Sequence, residues 1–287
     1  MKIGLMVLIT FGVLLVGCDA QSTSDKSIKE AESYFQQGMK YVEQGDLDNA
    51  LTAFTKAIEF TPNDAEVYNN RGFVYHKRGE FDHAIMDYNK SIELNPKLAG
   101  AYSNRGFAYA NNGEFDKAIG DYNRAIEIDP KLAMAYNNRG RVYDNNKEYD
   151  RAIADYSQAI ELDPKFTEAY SNRGHVYDAK GEYDQAITDF NKAIELDPKF
   201  AGVYSNRANA YLHKKEPDKA ILDCNKAIEL DPAFTLAYHN RGCAYYLKKE
   251  YDHAIIDLKK ALELDSDYQP TQRALKEVKK LLKEKQE

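Results

Sequence analysis

The chain of 287 residues contains no tryptophan, only three cysteines and six histidines, and no excess of positive charge: its formal net charge is −7. A nucleic-acid binder with a basic face is excluded by that balance. Glycine-rich phosphate loops, nucleophile elbows and zinc-protease helix motifs are all missing. His239 and Cys243 stand four residues apart, but two ligands fall short of the three or four that a metal site needs. No metal, no cofactor and no catalytic residue is therefore expected. Cys224 and Cys243 read as reduced thiols rather than as a disulfide. Long apolar runs are also scarce. Ile3 to Val16 is one, too short for an ordinary membrane span but right for the core of a signal peptide.

What the chain has in abundance is repetition. Six of its eight prolines (Pro62, Pro96, Pro130, Pro164, Pro198 and Pro232) recur every 34 residues, and so do Gly38, Gly72, Gly106, Gly140, Gly174 and Gly242. A fixed period of this length with small residues and proline at set offsets marks a helical solenoid. If Thr167 is position 1 of a repeat, then Tyr170, Gly174 and Tyr177 (positions 4, 8 and 11) lie within about 60° on a helix and form one buried stripe. Glycine at position 8 costs about 1 kcal/mol of helix propensity, so its recurrence implies that a second helix passes close by. Ala186, Phe190, Ala193 and Ile194 supply that second helix with its own stripe. Pro198 then ends it and begins the turn to the next repeat.

This pattern resembles the tetratricopeptide repeat (TPR) family over residues 31–268. Seven repeats span 31–64, 65–98, 99–132, 133–166, 167–200, 201–234 and 235–268, with Tyr at position 4 and Ala at position 20 in all of them. The resemblance implies an all-α fold, a right-handed superhelical solenoid of seven helix-turn-helix repeats whose first helices line its inner surface. Residues 269–287 form a C-terminal capping helix, with Leu275, Val278, Leu281 and Leu282 as its apolar stripe and basic residues around it. The sixth repeat departs most, with Ala208 for glycine, Pro217 at position 17 and Cys224 for the aromatic at position 24.

The N-terminus resembles that of a bacterial lipoprotein. Residues 1–17 read as a signal peptide ending in Leu15-Val16-Gly17 before Cys18, a sequence similar to the lipobox. The resemblance implies that Cys18 is lipidated and becomes the first mature residue. Residues 18–30 then hold the lipidated cysteine and a flexible tether. The implied location is the bacterial cell membrane, facing periplasm or exterior. Asp19 resembles an inner-membrane retention signal.

On the first helix of each repeat, positions 5, 6 and 9 fall at about 100°, 200° and 140° from position 4 and are expected to point away from the core. Position 6 is Asn70, Asn104, Asn138, Asn172, Asn206 and Asn240; position 5 includes Asn69, Asn137 and Ser171; position 9 includes Arg141 and His175; Asp144 and Asp178 follow at position 12. Asparagine offers both a donor and an acceptor, which suits the backbone of an extended peptide. The family's carboxylate clamp is poorly matched, because no repeat has Lys at position 2 or Arg at position 6. Arg at position 7 and Asp at position 23 occur together in repeats 2 to 7 (Arg105 with Asp121, Arg139 with Asp155 and Arg173 with Asp189 among them) and are both missing from repeat 1, so they are expected to pair as structural glue. The expected function is a membrane-tethered, non-catalytic adaptor for a protein or peptide partner of unknown identity, with no nucleic acid involved. The alternative is a receptor for a glycan or small molecule in the same groove.

Overall fold

The computed structural model describes residues 21–286. The expected signal peptide, Cys18 and Asp19 lie outside these residues. Among the described residues all regular structure is helical. Fifteen helices follow one another: α1 (Gln21–Gln44), α2 (Leu47–Phe60), α3 (Ala65–Lys77), α4 (Phe81–Leu94), α5 (Ala99–Asn111), α6 (Phe115–Ile128), α7 (Ala133–Asn145), α8 (Tyr149–Leu162), α9 (Thr167–Ala179), α10 (Tyr183–Leu196), α11 (Ala201–His213), α12 (Pro217–Leu230), α13 (Thr235–Leu247), α14 (Tyr251–Leu264) and α15 (Gln269–Gln286). From α3 to α13 every first helix begins at the residue that opens its repeat. The helix α1 differs, since residues 21–30 of the expected tether are its first turns. No proline or glycine interrupts Gln21 to Gln37, so a helix anchored by the first repeat propagates backwards at little cost.

The described residues divide into two compact bodies, one ending at Arg151 and the other beginning at Ala152. In the first, the hairpins α1/α2, α3/α4 and α5/α6 stack in order and α7 follows α6. In the second, the hairpins α9/α10, α11/α12 and α13/α14 stack likewise, and α15 packs on α14 and α13. Leu275 and Val278 of α15 are buried against Ala254 and Leu258.

Each hairpin is set by three local devices. The turn between its helices needs one left-handed residue, supplied by Gly45, Gly79, Gly113 and Gly181 with φ between 75° and 81°, and by Lys147, Lys215 and Lys249 with φ near 60° in the other three repeats. At the end of the second helix in repeats 2 to 7, the Asp or Asn before the turn accepts a hydrogen bond from the backbone two residues on, as Asp197 does from Lys199 N at 3.0 Å. Asp265 does the same from Asp267 N at 3.1 Å, although Ser266 stands where the other repeats have proline. The third device is the close crossing at position 8. A methyl on Gly174 would lie 2.7 Å from Phe190 Cε1 and 3.2 Å from the Ala186 carbonyl, so only glycine lets the ring and the backbone approach this far. In repeat 6, Ala208 is larger than the glycine and Cys224 smaller than the ring, and both are fully buried in one cluster.

Candidate functional site

The first helices of consecutive repeats also pack side by side: α3 with α5, α5 with α7, α9 with α11 and α11 with α13. This corrects the expectation that positions 5 and 6 point away from the core. Asn69 and Asn70 are 0% exposed, and Asn104, Asn137, Asn138, Ser171 and Asn240 are buried as well. Asn172 and Asn206 are half-buried. A helical wheel treats a helix as isolated, whereas here the neighbouring first helix covers that flank. Asn104 Nδ2 donates to Asn69 Oδ1 at 3.0 Å. Asn240 Nδ2 donates to the Ser205 carbonyl at 3.1 Å and to its Oγ at 3.2 Å. Position 6 of one repeat thus bonds to position 5 of the repeat before. Repeat 1 has Phe35 at position 5, which offers no polar atom, and Asn70 Nδ2 turns instead to the Glu66 carbonyl at 2.9 Å.

The seam leaves several polar atoms over. Asn69 Nδ2, Asn70 Oδ1, Ser103 Oγ and Asn138 Oδ1 are buried without a hydrogen-bond partner, as is Glu66 Oε2. Burial, with Asp64 nearby, raises the Glu66 carboxyl to about 7. In the second body, Asp178 is half-buried between α9 and α11, where Asn209 Nδ2 donates to its Oδ2 at 2.8 Å while Oδ1 is unpartnered. Desolvation raises the Asp178 carboxyl, opposed by the Asn209 hydrogen bond and by His213 and His175. His175 is exposed, and Arg141 and Asp144 are half-buried. The Arg141 guanidinium sits 5.6 Å from the centre of the Phe107 ring.

A cluster that sequence reasoning missed lies around that ring. His76 is buried, stacks on Phe107 at 4.8 Å and meets Phe81 edge-on at 5.1 Å. Asn111 Nδ2 donates to His76 Nε2 at 2.8 Å, which places the imidazole proton on Nδ1. Burial pushes the His76 pKa down to about 4. The signal in the chain was the pair Phe73 and Phe107 at position 9, where repeats 4 to 7 have polar residues or cysteine.

His239 and Cys243 do come together, with Sγ 3.6 Å from Nε2, and Thr271 Oγ1 lies 2.9 Å from His239 Nδ1. Desolvation raises the thiol to about 11 and lowers the imidazole pKa. Both groups are held neutral, the reverse of an activated cysteine nucleophile. Among the described residues no group of three or more His, Cys, Asp or Glu is placed to hold a metal. Cys224 and Cys243 are free thiols.

The Arg and Asp series meet inside the hairpins of repeats 2, 3, 5, 6 and 7. Arg105 forks onto Asp121 at 2.7 and 2.8 Å, and Arg173 onto Asp189 at 2.8 Å twice; Arg71, Arg207 and Arg241 do the same with Asp87, Asp223 and Asp257. The third arm of the fork reaches the second helix of the preceding repeat: Arg105 donates to Asn89, Arg139 to Asn123, Arg173 to Ser157 and Arg207 to Asn191. Each guanidinium also lies over the Tyr at position 4, as Arg173 does over Tyr170 at 5.8 Å. One side chain therefore ties two helices of its own repeat to the repeat before.

Models of the TPR repeat match residues 38–79 and 74–113, and the tetratricopeptide repeat model matches residues 99–132, 133–166, 167–200, 201–234 and 235–268. No curated protein matches the chain. Among solved structures, a tetratricopeptide repeat protein from Parabacteroides merdae is 24% identical with a TM-score of 0.64, covering 87% of this chain and 99% of that one. YrrB, described as a TPR protein with an unusual peptide-binding site, is 29% identical with a TM-score of 0.52, covering 65% of this chain and 96% of its own. MamA is 30% identical with a TM-score of 0.51, over 56% of this chain and 94% of its own. With repeat models matched along most of its length, the chain belongs to the tetratricopeptide repeat family.

Proposed function

We propose that this protein is a non-catalytic interaction scaffold, held to a bacterial membrane by lipid on Cys18, whose first-helix face receives a partner polypeptide. The observation that carries the reading is Asp178, half-buried on α9 with its Oδ1 left without a partner and one turn from the exposed His175. A buried polar group without a partner costs about 1–3 kcal/mol, and a peptide backbone that reaches it recovers that cost. The likeness to YrrB, whose peptide-binding site is part of its description, supports the same reading.

The tether rests on the apolar run before Leu15-Val16-Gly17-Cys18 and on Asp19, which favours the inner membrane if the envelope has two. No described helix is long and apolar enough to cross a membrane. Lipid on Cys18 supplies the attachment, since several acyl chains bind a bilayer far more firmly than one.

Co-purification from crosslinked membranes tests both parts. Wild type brings down a stoichiometric protein partner, and His175→Ala/Asp178→Ala loses it while keeping its melting temperature. Unchanged capture contradicts the first-helix reading. Cys18→Ser is expected to lose palmitate labelling, and retained label contradicts the anchor.

A further inference from the structure

Outside the first-helix face, a second recurring arrangement joins position 11 of each first helix to positions 16 and 19 beside it. In repeat 3, Lys117 Nζ lies 5.2 Å from the centre of the Tyr109 ring and also bonds to Glu114. In repeat 4, Arg151 lies 5.1 Å from the Tyr143 ring centre and 2.7 Å from Glu148. In repeat 6, Lys219 lies 5.3 Å from the Tyr211 ring centre and 2.5 Å from Glu216. Repeats 2 and 7 place an imidazole there: His83 on Tyr75 and Glu80, His253 on Tyr245 and Glu250. A tyrosine face and a carboxylate together form a seat for a nitrogen cation, and the chain fills it with its own side chains.

Repeat 5 keeps the ring and the carboxylate but changes the occupant. Position 19 is Gln185, whose Nε2 donates to Glu182 Oε2 at 2.9 Å. Among the described residues the only cation over Tyr177 is Arg173, at 6.0 Å, and its charge is opposed by the fork onto Asp189. Here the surface opens into a cleft of about 370 Å³ lined by Arg173, Tyr177, Asp184, Gln185, Thr188 and Asp189. The lining carries one net negative charge. The Asp184 side chain is 85% exposed, and its Oδ1 bonds Lys214. Thr188 is short, and its hydroxyl turns back to the Asp184 carbonyl at 2.9 Å.

We propose that this cleft is a contact site for a Lys or Arg side chain of a partner polypeptide, which takes on Tyr177 the place that Lys117, Arg151 and Lys219 take on their own rings. Asp184, shared with Lys214, supplies the countercharge, while Glu182 is held by Lys180 at 3.0 Å and by Gln185. The site uses positions 7, 11, 18, 19, 22 and 23, none of which belongs to the first-helix set, so it adds a second surface to the scaffold.

The test follows tyrosine ring signals of the full chain in detergent by carbon-13 NMR, with the Tyr177 signal identified by its loss in Tyr177→Leu. N-acetyl-arginine amide is the probe, and N-acetyl-citrulline amide, the same shape without the charge, is the control. The arginine probe is expected to move the Tyr177 signal saturably and the citrulline probe to leave it in place. Gln185→Lys, which copies repeats 3 and 6, is expected to weaken the arginine probe about tenfold. The proposal is overturned if the Tyr177 signal does not move, if citrulline moves it equally, or if Gln185→Lys titrates like wild type.

Discussion

Ala208 and Cys224 occupy the two positions where repeat 5 places Gly174 and Phe190, a larger residue replacing the glycine and a smaller one the ring. The crossing of the two helices is thus filled jointly by the two side chains, and in repeat 6 a methyl stands where repeat 5 needs room for the Phe190 ring. Gly174→Ala is expected to destabilise by about 1–3 kcal/mol, because its methyl meets the Phe190 ring. Cys224→Phe alone should destabilise for the same reason, and adding Ala208→Gly should restore most of the loss. Thermal melts of the two single variants and the double give the coupling, and additive losses would contradict a shared volume.

Arg173 and Asp189 make a different argument from the same repeat. Asp189 is 5% exposed, so removing its guanidinium strands a buried carboxylate. Arg173→Met is expected to lower stability by about 3 kcal/mol, and Arg173→Met/Asp189→Leu to lower it much less. A normal melting temperature for the single variant would show that the fork does not hold the hairpins together.

The pH dependence of the first body has two opposed contributions. The His76 pKa is lowered to about 4 in the fold, against an ordinary value of 6.5, so the unfolded chain takes up the proton first. Its stabilisation is present above pH 6.5 and falls by about 3 kcal/mol as pH drops toward 4. Glu66, raised to about 7, acts with the other sign: the folded state takes up that proton first, so stability rises as pH falls from 7 toward 4.5. His76→Phe should therefore flatten the acid loss, and Glu66→Gln should steepen it. Melting temperatures of the two variants between pH 7 and 4 decide the matter, and equal slopes would contradict both assignments.

The two-helix repeat was legible from sequence because it rests on local chemistry: glycine at position 8 where a second helix passes close, and proline at position 32 after that helix. The pairing of Arg and Asp was legible too, since both are missing from repeat 1, which has Gln37 and Ala53 instead. Asn70 and Asn104 were misjudged because their burial comes from a neighbouring first helix about 34 residues away, which a wheel drawn for one helix lacks. The stack of His76 on Phe107 was hidden for the same reason. The helical start at Gln21 was missed because a polar stretch has no period of its own, yet it continues a helix that is packed further on.

Photo-crosslinking in living cells tests the scaffold reading most directly. A benzophenone amino acid at position 175, exposed on the first helix α9, is compared with one at Glu195, exposed on the second helix α10. The account predicts one membrane-associated protein adduct from position 175 and none of that species from position 195. Absence of an adduct at 175, or the same adduct from 195 alone, would contradict it.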